Sequence, residues 1–410
     1  MCCGEAHPIM STGLPYWRLS SFYFFYFALL GATAPFLALY FDHLGFSAAR
    51  IGELIAIPML MRCLAPNLWA WLADRSQQRL AIVRFGAICT MLSFMLIFIS
   101  KSFAWLAMIM VLHAFFWHAI LAQFEVITLA HLGSNSERYS QLRLWGSVGF
   151  ILVVIGFGYI FDQVGLDYYP WAIVAVMSGI ILSSFWIPKQ PNQLETPMAL
   201  NDTITPRVRS TPIKAIVYFL AGVALMQLSH GPYYTFLTLH LIDLNYSRAM
   251  IGWLWALGVL AEIGLFVIMP WLLRRVSVKL IIVASLFIAA LRWWLLGFYA
   301  DSLLILLFVQ LLHAATFGSF HAAAIHFVQH YFPTHKQGQG QGLYVSFCGV
   351  GGALGALYAG YTWQPLGAGV TFALASGAAL LAAFLLLFGL ASLDSTQSTL
   401  KKDSSHDVHA

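Results

Sequence analysis

Twelve long apolar stretches alternate along the chain with short polar or charged segments. A helix needs about 20 mostly apolar residues to cross the hydrocarbon core of a bilayer. The pattern therefore predicts an all-α integral membrane protein with twelve transmembrane helices. The predicted spans are residues 18–41, 47–72, 80–100, 103–126, 142–161, 168–187, 213–240, 251–273, 280–300, 303–326, 343–361 and 368–393.

The composition narrows the class of protein in the same direction. The 410 residues are 60% hydrophobic and only 9% charged, with a mean hydropathy of +0.79. Because soluble proteins are about a quarter charged, soluble, disordered and nucleic-acid-binding classes are excluded. The bilayer is the expected surrounding, and no nucleic-acid partner is expected despite the formal charge of +5.

The basic residues indicate how the chain is oriented in the membrane. With the N-terminus inside, 16 of the 21 Lys and Arg residues fall on cytoplasmic segments, three fall in outer loops and two lie inside spans. Positive charge in short loops marks the cytoplasmic side. We therefore predict that both termini are cytoplasmic, and we expect the first span to be an uncleaved anchor.

The chain also repeats itself at an offset of 200 residues. Between residues 31 and 75, 15 of 45 positions are identical to the residue 200 positions later, Gly52 and Gly252 among them. Such internal similarity indicates a duplicated architecture. Two six-helix halves in the same orientation are the arrangement of the major facilitator fold, which binds its substrate between the halves.

The repeat divides the chain into four parts. The segment between the two halves is rich in Pro, Asn, Thr and charge and has no apolar periodicity, which is typical of a linker. We predict an N-terminal six-helix bundle at 1–187, a cytoplasmic linker at 188–212, a C-terminal six-helix bundle at 213–393 and a cytoplasmic tail at 394–410.

Charged residues inside the predicted spans are candidate functional groups, because each costs roughly 2.5–3.5 kcal/mol at the helix centre. Arg62 and Glu262 occupy equivalent positions in the two halves. They are expected either to pair directly across the central cavity or to find partners within their own halves, with Arg292 a candidate for Glu262. Glu262 is the first candidate for a buried group that binds and releases a proton. His313, which repeats His113, is the second.

A second pair of charged residues lies at the end of the fourth span and the start of the fifth. Glu125 and Arg143 are separated by a turn-forming segment, so they can approach each other across a helical hairpin. A clamp for substrate and an ordinary interfacial ion pair are both compatible with this placement.

No metal site is predicted. His326 and His330 share one helix face, and His321 and His335 lie nearby, but no acid or cysteine completes a ligand set. Cys63, Cys89 and Cys348 have no spacing typical of a disulfide or metal framework.

Four stretches carry a resemblance to a known family: 143–150 (RLWGSVGF), 251–262 (IGWLWALGVLAE), 291–294 (LRWW) and 312–317 (LHAATF). The chain resembles the lactose-permease-like branch of the major facilitator superfamily, and most closely the 3-phenylpropionate permease group of proton symporters. The resemblance implies a monomeric permease of the bacterial inner membrane that needs no cofactor beyond a proton gradient and is not an enzyme.

The resemblance also implies roles for individual residues. By analogy with lactose permease, Glu125 and Arg143 bind substrate, and Glu262, Arg292 and His313 link substrate binding to protonation. Thr316 stands where that family carries a proton-binding glutamate, and Phe150 stands where it carries a sugar-stacking tryptophan.

The same family resemblance extends to the loop between the second and third spans. Asp74, Arg75 and Arg79 there resemble the facilitator signature, which lacks its usual glycine here. They are expected to cap helix ends and to pair across the two halves when the cytoplasmic side is closed. A plain positive-inside loop has a similar appearance.

The resemblance implies that the substrate is a small aromatic carboxylate such as 3-phenylpropionate, imported together with a proton. Arg143 can pair bidentately with a carboxylate, and Tyr233 and Tyr234, where the seventh span is broken, can contact a ring. Phe150 is a further candidate for the substrate-binding set, and Arg62 joins the proton-coupling residues. The alternatives are a proton-coupled sugar or nucleoside symporter, a drug exporter of the same fold, a membrane enzyme and a sensor.

Overall fold

A computed structural model describes residues 14–188, 213–333 and 336–390 of the chain. All regular secondary structure within these ranges is helical, as the sequence predicts. The predicted linker 188–212, apart from its first residue, the predicted tail 394–410 and His335 lie outside the described residues.

Fifteen α-helices in the described ranges form two groups. The N-terminal group contains α1 (Tyr16–Thr33), α2 (Leu37–His43), α3 (Ala48–Ser76), α4 (Arg79–Met95), α5 (Phe103–Trp117), α6 (Ile120–Leu132), α7 (Tyr139–Val164) and α8 (Tyr169–Trp186). The C-terminal group contains α9 (Ile213–Ser229), α10 (Gly231–Asp243), α11 (Arg248–Arg275), α12 (Val278–Phe298), α13 (Leu303–His313), α14 (Ser319–Tyr331) and α15 (Gln337–Gly389). A break at Gly367, where φ is +80°, divides α15 into two parts.

The two groups repeat each other in local detail as well as in helix order. The hydroxyl of Ser47 caps α3 by accepting from the amide of Arg50 at 3.5 Å, and Ser247 caps α11 by accepting from Met250 at 3.2 Å. Serine at an N-cap stabilises a helix start because its side chain satisfies an otherwise free backbone N–H. The repeat in sequence is thus also a repeat in structure.

Many of the helices are long and apolar enough to cross a bilayer. By length and composition, nine helices in the described part of the chain qualify, or up to ten when α1 and α2, bent by 41°, are taken as one span. The helix α15, at 53 residues, is one of the nine. The helix α3 is not among the nine. It carries five charged residues, which are Arg50, Glu53, Arg62, Asp74 and Arg75.

Packing within each group follows the repeat. In the N-terminal group α1 packs against α7 and α8, and in the C-terminal group α9 and α12 pack against α15. The main contacts between the groups are α3 with α15 and α7 with α11. A small cavity between the groups is lined by residues of α3, α9, α10 and α15.

Two repeat-related glycines bring the groups together at one end. A Cβ atom on Gly52 would lie 2.6 Å from the carbonyl oxygen of Ala356, and one on Gly252 would lie 2.6 Å from that of Val154. Real Cβ contacts are never this short, so the backbones of α3 and α15, and of α7 and α11, approach closely only because these positions lack a side chain.

Polar contacts close the same end of the molecule, which we call the Arg248 face (Glu53, Asp162, Arg248 and Tyr361). The carboxylate of Asp162 in α7 accepts from the backbone amides of Arg248 at 3.0 Å and of Ala249 at 2.9 Å, at the start of α11. A carboxylate in this position satisfies free N–H groups and complements the helix dipole. Across the other contact, Tyr361 donates to Glu53 at 2.6 Å.

The opposite end, which we call the Arg79 face (Asp74, Arg79 and Gln123), is held together differently. Arg79 pairs with Asp74 at 2.5 Å and also bonds the side chain of Gln123. Arg75 lies over the ring of Trp71 in its own helix, at 5.6 Å. The three predicted gating residues therefore interact within the N-terminal group here, and their pairing across the halves stays a prediction for another state.

We expect substitution of Gly252 by leucine to open the Arg248 face. A side chain at this position collides with the α7 backbone, so the closed arrangement becomes unfavourable. The measurement is maleimide labelling of Ala48→Cys, which lies on the other inter-group contact and is 5% exposed here, in a chain whose native cysteines are replaced. Labelling should rise severalfold relative to the parent.

Gly264→Leu is the matched control, because it lies on the same helix and a Cβ there meets no atom within 4 Å. It should leave labelling of the engineered cysteine unchanged. Equal labelling in the Gly252→Leu and Gly264→Leu proteins would contradict the assignment of Gly252 to the closing contact.

Candidate functional site

Four helical segments are broken, and Tyr233, Tyr234 and His313 lie beside two of the breaks. The α5–α6 segment breaks at His118, the α9–α10 segment breaks at His230, and a π-helical turn at Ala314–Gly318 separates α13 from α14. The fourth break separates α1 from α2. Transporter folds place their binding sites at such discontinuous helices, because broken segments leave polar backbone groups available inside the bilayer.

Arg143 in α7 is the main cation on the N-terminal wall of the cavity. Its guanidinium lies 3.7 Å from the ring centroid of Phe27 and 5.9 Å from that of Tyr23. Among the described residues, no carboxylate lies within ion-pairing distance of it. It does lie close enough to Glu262 in the other group to interact electrostatically. Arg143 is thus held by aromatic rings while its hydrogen-bonding edge stays available.

Glu125 in α6 does not form the expected ion pair with Arg143 in this structure. Its carboxylate instead accepts a hydrogen bond from the hydroxyl of Tyr139 at 3.0 Å. Tyr139 lies one helical turn before Arg143 on α7, so it occupies the position between the two predicted partners. Glu125 and Arg143 share one region of the site without direct contact.

Aromatic rings form much of the rest of this wall. Tyr26 and Trp117 are stacked with their ring centroids 4.0 Å apart and 8° between planes. Phe150 is half-buried two helical turns after Arg143 on α7, and its backbone packs against Gly31 of α1. The role of Phe150 in binding substrate stays a prediction.

Arg292 in α12 is fully buried at the centre of the C-terminal group. It donates to the carbonyl of Val309 at 3.0 Å, to Thr316 at 3.1 Å and to the side chain of Gln310 at 3.2 Å. Its guanidinium also lies 4.3 Å from the ring centroid of Tyr233. No carboxylate of the described chain pairs with it, so hydrogen bonds and rings take the place of a counter-ion.

Gln310 joins this network to two other groups. Its amide oxygen accepts from the hydroxyl of Tyr233 at 3.3 Å as well as from Arg292, and its amide nitrogen donates to the carbonyl of Leu254 at 2.9 Å. Tyr233 is only 1% exposed and its hydroxyl is engaged. In this structure Tyr233 therefore supports Arg292 and does not line an open cavity.

Glu262 in α11 makes its closest charged contact with His313. Its Oε1 atom lies 3.9 Å from Nε2 of His313, and the two side chains are 17% and 8% exposed. Neither Arg62 nor Arg292, the two partners considered from the sequence, forms an ion pair with Glu262 here. The carboxyl group is thus left partly accessible beside an imidazole.

His313 is fixed by aromatic neighbours on both sides. Its ring is stacked with Phe317, at 5.6 Å and 5°, and with Tyr233, at 5.5 Å and 22°. Its Nδ1 atom is buried and has no hydrogen-bond partner among the described residues. Such an orphaned nitrogen is unusual in a native interior and is typical of functional sites.

Tyr234 and Arg62 face the space between the two groups. Tyr234 lines a small cavity of about 20 Å³ together with Thr235 and Gly231 of α10, and with residues of α3 and α15. Arg62 in α3 interacts electrostatically with Tyr234 and with His321. No described acid pairs with Arg62.

The histidines near the Arg79 face do not form a metal site within the described residues. No group of three or more His, Cys, Asp or Glu residues there is arranged to hold an ion. His326 and His330 stack on each other with centroids 4.5 Å apart.

Two residues that the sequence reasoning missed prove central to the geometry. Gln310 connects Arg292, Tyr233 and Leu254, and Tyr139 holds Glu125. A glutamine inside the otherwise apolar run Leu303–His313 was a detectable signal, since buried polar groups need partners. Nothing in the sequence marks Tyr139, because its partner is 14 residues away across a turn.

Comparisons with known proteins agree with this geometry. The sequence matches the model of the MFS_1 like family over residues 16–374. The "Probable 3-phenylpropionic acid transporter" of Escherichia coli (strain K12) is 26% identical over 366 residues, which are 86% of this chain and 92% of that protein. The maltose permease of Geobacillus stearothermophilus is 24% identical over 346 residues, covering 82% of this chain and 84% of its own.

A solved structure has the same fold. The crystal structure of the nucleoside transporter NupG superposes with a TM-score of 0.76 at 16% sequence identity, covering 92% of this chain and 99% of NupG. At this identity the likeness concerns the fold alone.

We expect Gln310→Leu to destabilise the protein. The substitution leaves Arg292, the Tyr233 hydroxyl and the Leu254 carbonyl each short of one hydrogen bond, and an unsatisfied buried group costs about 1–3 kcal/mol. The measurement is the thermal unfolding midpoint of the purified protein in detergent, which should fall by several degrees. Gln329→Leu, at an exposed position of α14, is the control that should leave the midpoint unchanged. Equal midpoints for the two variants would show that the network is not a stabilising element.

Proposed function

The chain belongs to the MFS_1 like family of the major facilitator superfamily, and from that premise we propose that it imports a small aromatic carboxylate together with a proton. Proteins of this superfamily are membrane transporters and not enzymes, and this chain is a multi-pass secondary transporter. The proton coupling, the substrate and the direction of transport form the proposal.

We propose twelve spans with both termini in the cytoplasm. The bent pair α1 and α2 counts as one span, and α15 counts as two because 53 residues of helix measure about 80 Å, far more than one bilayer crossing. The helix α3 counts as a span because its charges lie at its ends or toward the other group. The two groups then correspond to bundles at 1–187 and 213–393, joined by the linker 188–212.

The observation that carries the substrate assignment is the unpaired guanidinium of Arg143 between aromatic rings. A guanidinium inside the bilayer is costly without a counter-ion, and a substrate carboxylate supplies one through two parallel hydrogen bonds. The exposed part of Trp117, which stacks on the buried ring of Tyr26, offers a surface for an aromatic ring. The relative named as a phenylpropionic acid transporter supports the same class of substrate.

Glu262 is the proposed proton carrier. It is the acid that faces the cavity from the C-terminal group, and it interacts electrostatically with Arg143. Protonation of Glu262 removes the internal competitor for Arg143, so the guanidinium becomes free to bind the substrate anion. Loading of the proton and loading of the substrate are then favourable together, which is the requirement for symport.

Arg292 and His313 have supporting roles in this proposal. The hydrogen bonds that hold Arg292 prevent it from moving to Glu262, so its positive charge acts from a fixed position. His313, at 3.9 Å from Glu262, is placed to exchange a hydrogen bond with that carboxyl as its protonation state changes.

The closed Arg248 face corresponds to the outer side in the proposed topology. The structure then represents a state in which the inner side gives access to the site, and His321, exposed between the groups, lies on that path. Opening of the Arg248 face and pairing of Asp74, Arg75 or Arg79 with the other bundle would complete alternating access.

Glu262→Gln should abolish proton-driven accumulation of labelled 3-phenylpropionate in proteoliposomes while retaining exchange of external for internal solute. The amide mimics a permanently protonated carboxyl, so the substrate still binds and moves, but no proton is carried. The measurement is uptake with an imposed pH gradient, with and without a protonophore, beside counterflow without a gradient.

Glu137→Gln is the control. It removes an exposed acid in the turn before α7 and should accumulate solute as the parent does. Protonophore-sensitive accumulation by the Glu262→Gln protein would exclude Glu262 as the carrier. If the parent takes up no 3-phenylpropionate, uptake of labelled maltose and of labelled nucleosides separates the sugar and nucleoside alternatives, the classes named for two relatives.

A further inference from the structure

Arg62 is a cation at membrane depth without an anionic partner. It is half-buried on α3, and within the described chain no carboxylate lies within 4.0 Å of it and no hydrogen bond satisfies its guanidinium. Glu262, the repeat-related acid, contacts His313 instead. Charged groups inside a membrane protein almost always pair, and the described residues supply no anion for Arg62, which leaves it available to one on a bound ligand.

The position of Arg62 on its helix directs it toward the space between the groups. Ile55 and Met59 line the small cavity between the groups, and Arg62 follows them by seven and three residues, on the same helical face. Pro58 and Pro66 lie inside α3, four residues to either side of Arg62. Each proline removes a backbone hydrogen bond, so the helix around Arg62 is locally adaptable.

Neutral polar groups from both helix groups lie close enough to this guanidinium to interact with it electrostatically. It interacts electrostatically with Tyr26 and His118 of the N-terminal group, and with Tyr234, His321 and Tyr344 of the C-terminal group. Tyr26 and His321 also interact with Arg143. Arg62 and Arg143 therefore act electrostatically on the same two side chains, one from each helix group.

The balance of charge in this space favours a ligand with two negative charges. Three arginines at this depth, Arg62, Arg143 and Arg292, face two acids, Glu125 and Glu262. Protonation of Glu262 leaves an excess of two positive charges. Arg292 is enclosed by Val309, Thr316, Gln310 and rings, so the two cations open to a ligand are Arg62 and Arg143.

We propose that Arg62 is a second anion anchor and that the preferred substrate is an aromatic dianion, with one carboxylate on Arg143 and the other on Arg62. This inference rests on the proposed function, because it keeps Arg143 as the first anchor and the proton on Glu262. A dianion carried with one proton restores neutrality in the cavity, whereas a monocarboxylate leaves one buried guanidinium without a counter-ion.

The test compares two probes that differ by one carboxylate on the same ring. These are 3-phenylpropionate and 3-(4-carboxyphenyl)propionate, titrated by calorimetry into the full chain in nanodiscs. We expect the dicarboxylate to bind about tenfold more tightly or better, the factor that one charge-assisted hydrogen bond provides. In Arg62→Gln this ratio should fall to about one, while Arg143→Gln should weaken binding of both probes.

Two further variants keep the result interpretable. Arg62→Lys, which preserves the charge, should retain part of the preference for the dicarboxylate and guards against a folding defect. Arg274→Gln removes an exposed positive charge of α11 and should leave the ratio unchanged. Equal affinity of the parent for the two probes, or an equal loss of both in Arg62→Gln, would overturn the role of Arg62. Absence of binding by either probe would overturn the aromatic-carboxylate proposal itself.

Discussion

The cost of charge inside a bilayer is the constraint on which this site depends. Three arginines lie at the depth of the helix breaks, and the chain treats them differently. Arg292 is fully buried and satisfied by a carbonyl, a hydroxyl and an amide, so it is part of the architecture. Arg143 and Arg62 face the space between the groups, and no described acid pairs with either. A transporter needs such unmet interactions, because a site satisfied by its own residues gains nothing from the substrate.

The duplicated sequence supplies the scaffold, and departures from the duplication supply the chemistry. Gly52 and Gly252 make equivalent backbone contacts, and Ser47 and Ser247 make equivalent caps. Ten residues beyond these glycines the symmetry ends, since Arg62 stands where its repeat carries Glu262. The same holds at the Arg248 face, where Glu53 binds Tyr361 and the repeat-related Trp253 donates to Tyr159 at 3.4 Å. Repeat-related helix contacts in the two groups therefore carry different polar side chains.

Periodicity and duplication were enough to predict the helical fold, because each span is defined by local composition. The break in the seventh span, at His230, and the candidate charges also follow from local sequence. Pairings between side chains that are distant in the sequence do not follow from local sequence. Glu125 contacts Tyr139 and not Arg143, and Glu262 contacts His313 and not an arginine. Which partner each acid contacts depends on how its helix is rotated about its own axis, to within a fraction of a turn. These helices are apolar on several faces, so the sequence pattern does not specify that rotation.

Thr316 shows how the network tolerates the loss of the acid expected at its position. An acid there would pair with Arg292 and neutralise it, and the hydroxyl accepts a hydrogen bond from Arg292 at 3.1 Å without adding charge. The positive charge of Arg292 then remains in the C-terminal group, which leaves Glu262 as the acid facing it. In the proposed mechanism, the replacement therefore concentrates the proton chemistry on one carboxyl. It also raises the positive charge of the cavity by one, and an added anion on the substrate is the complementary change.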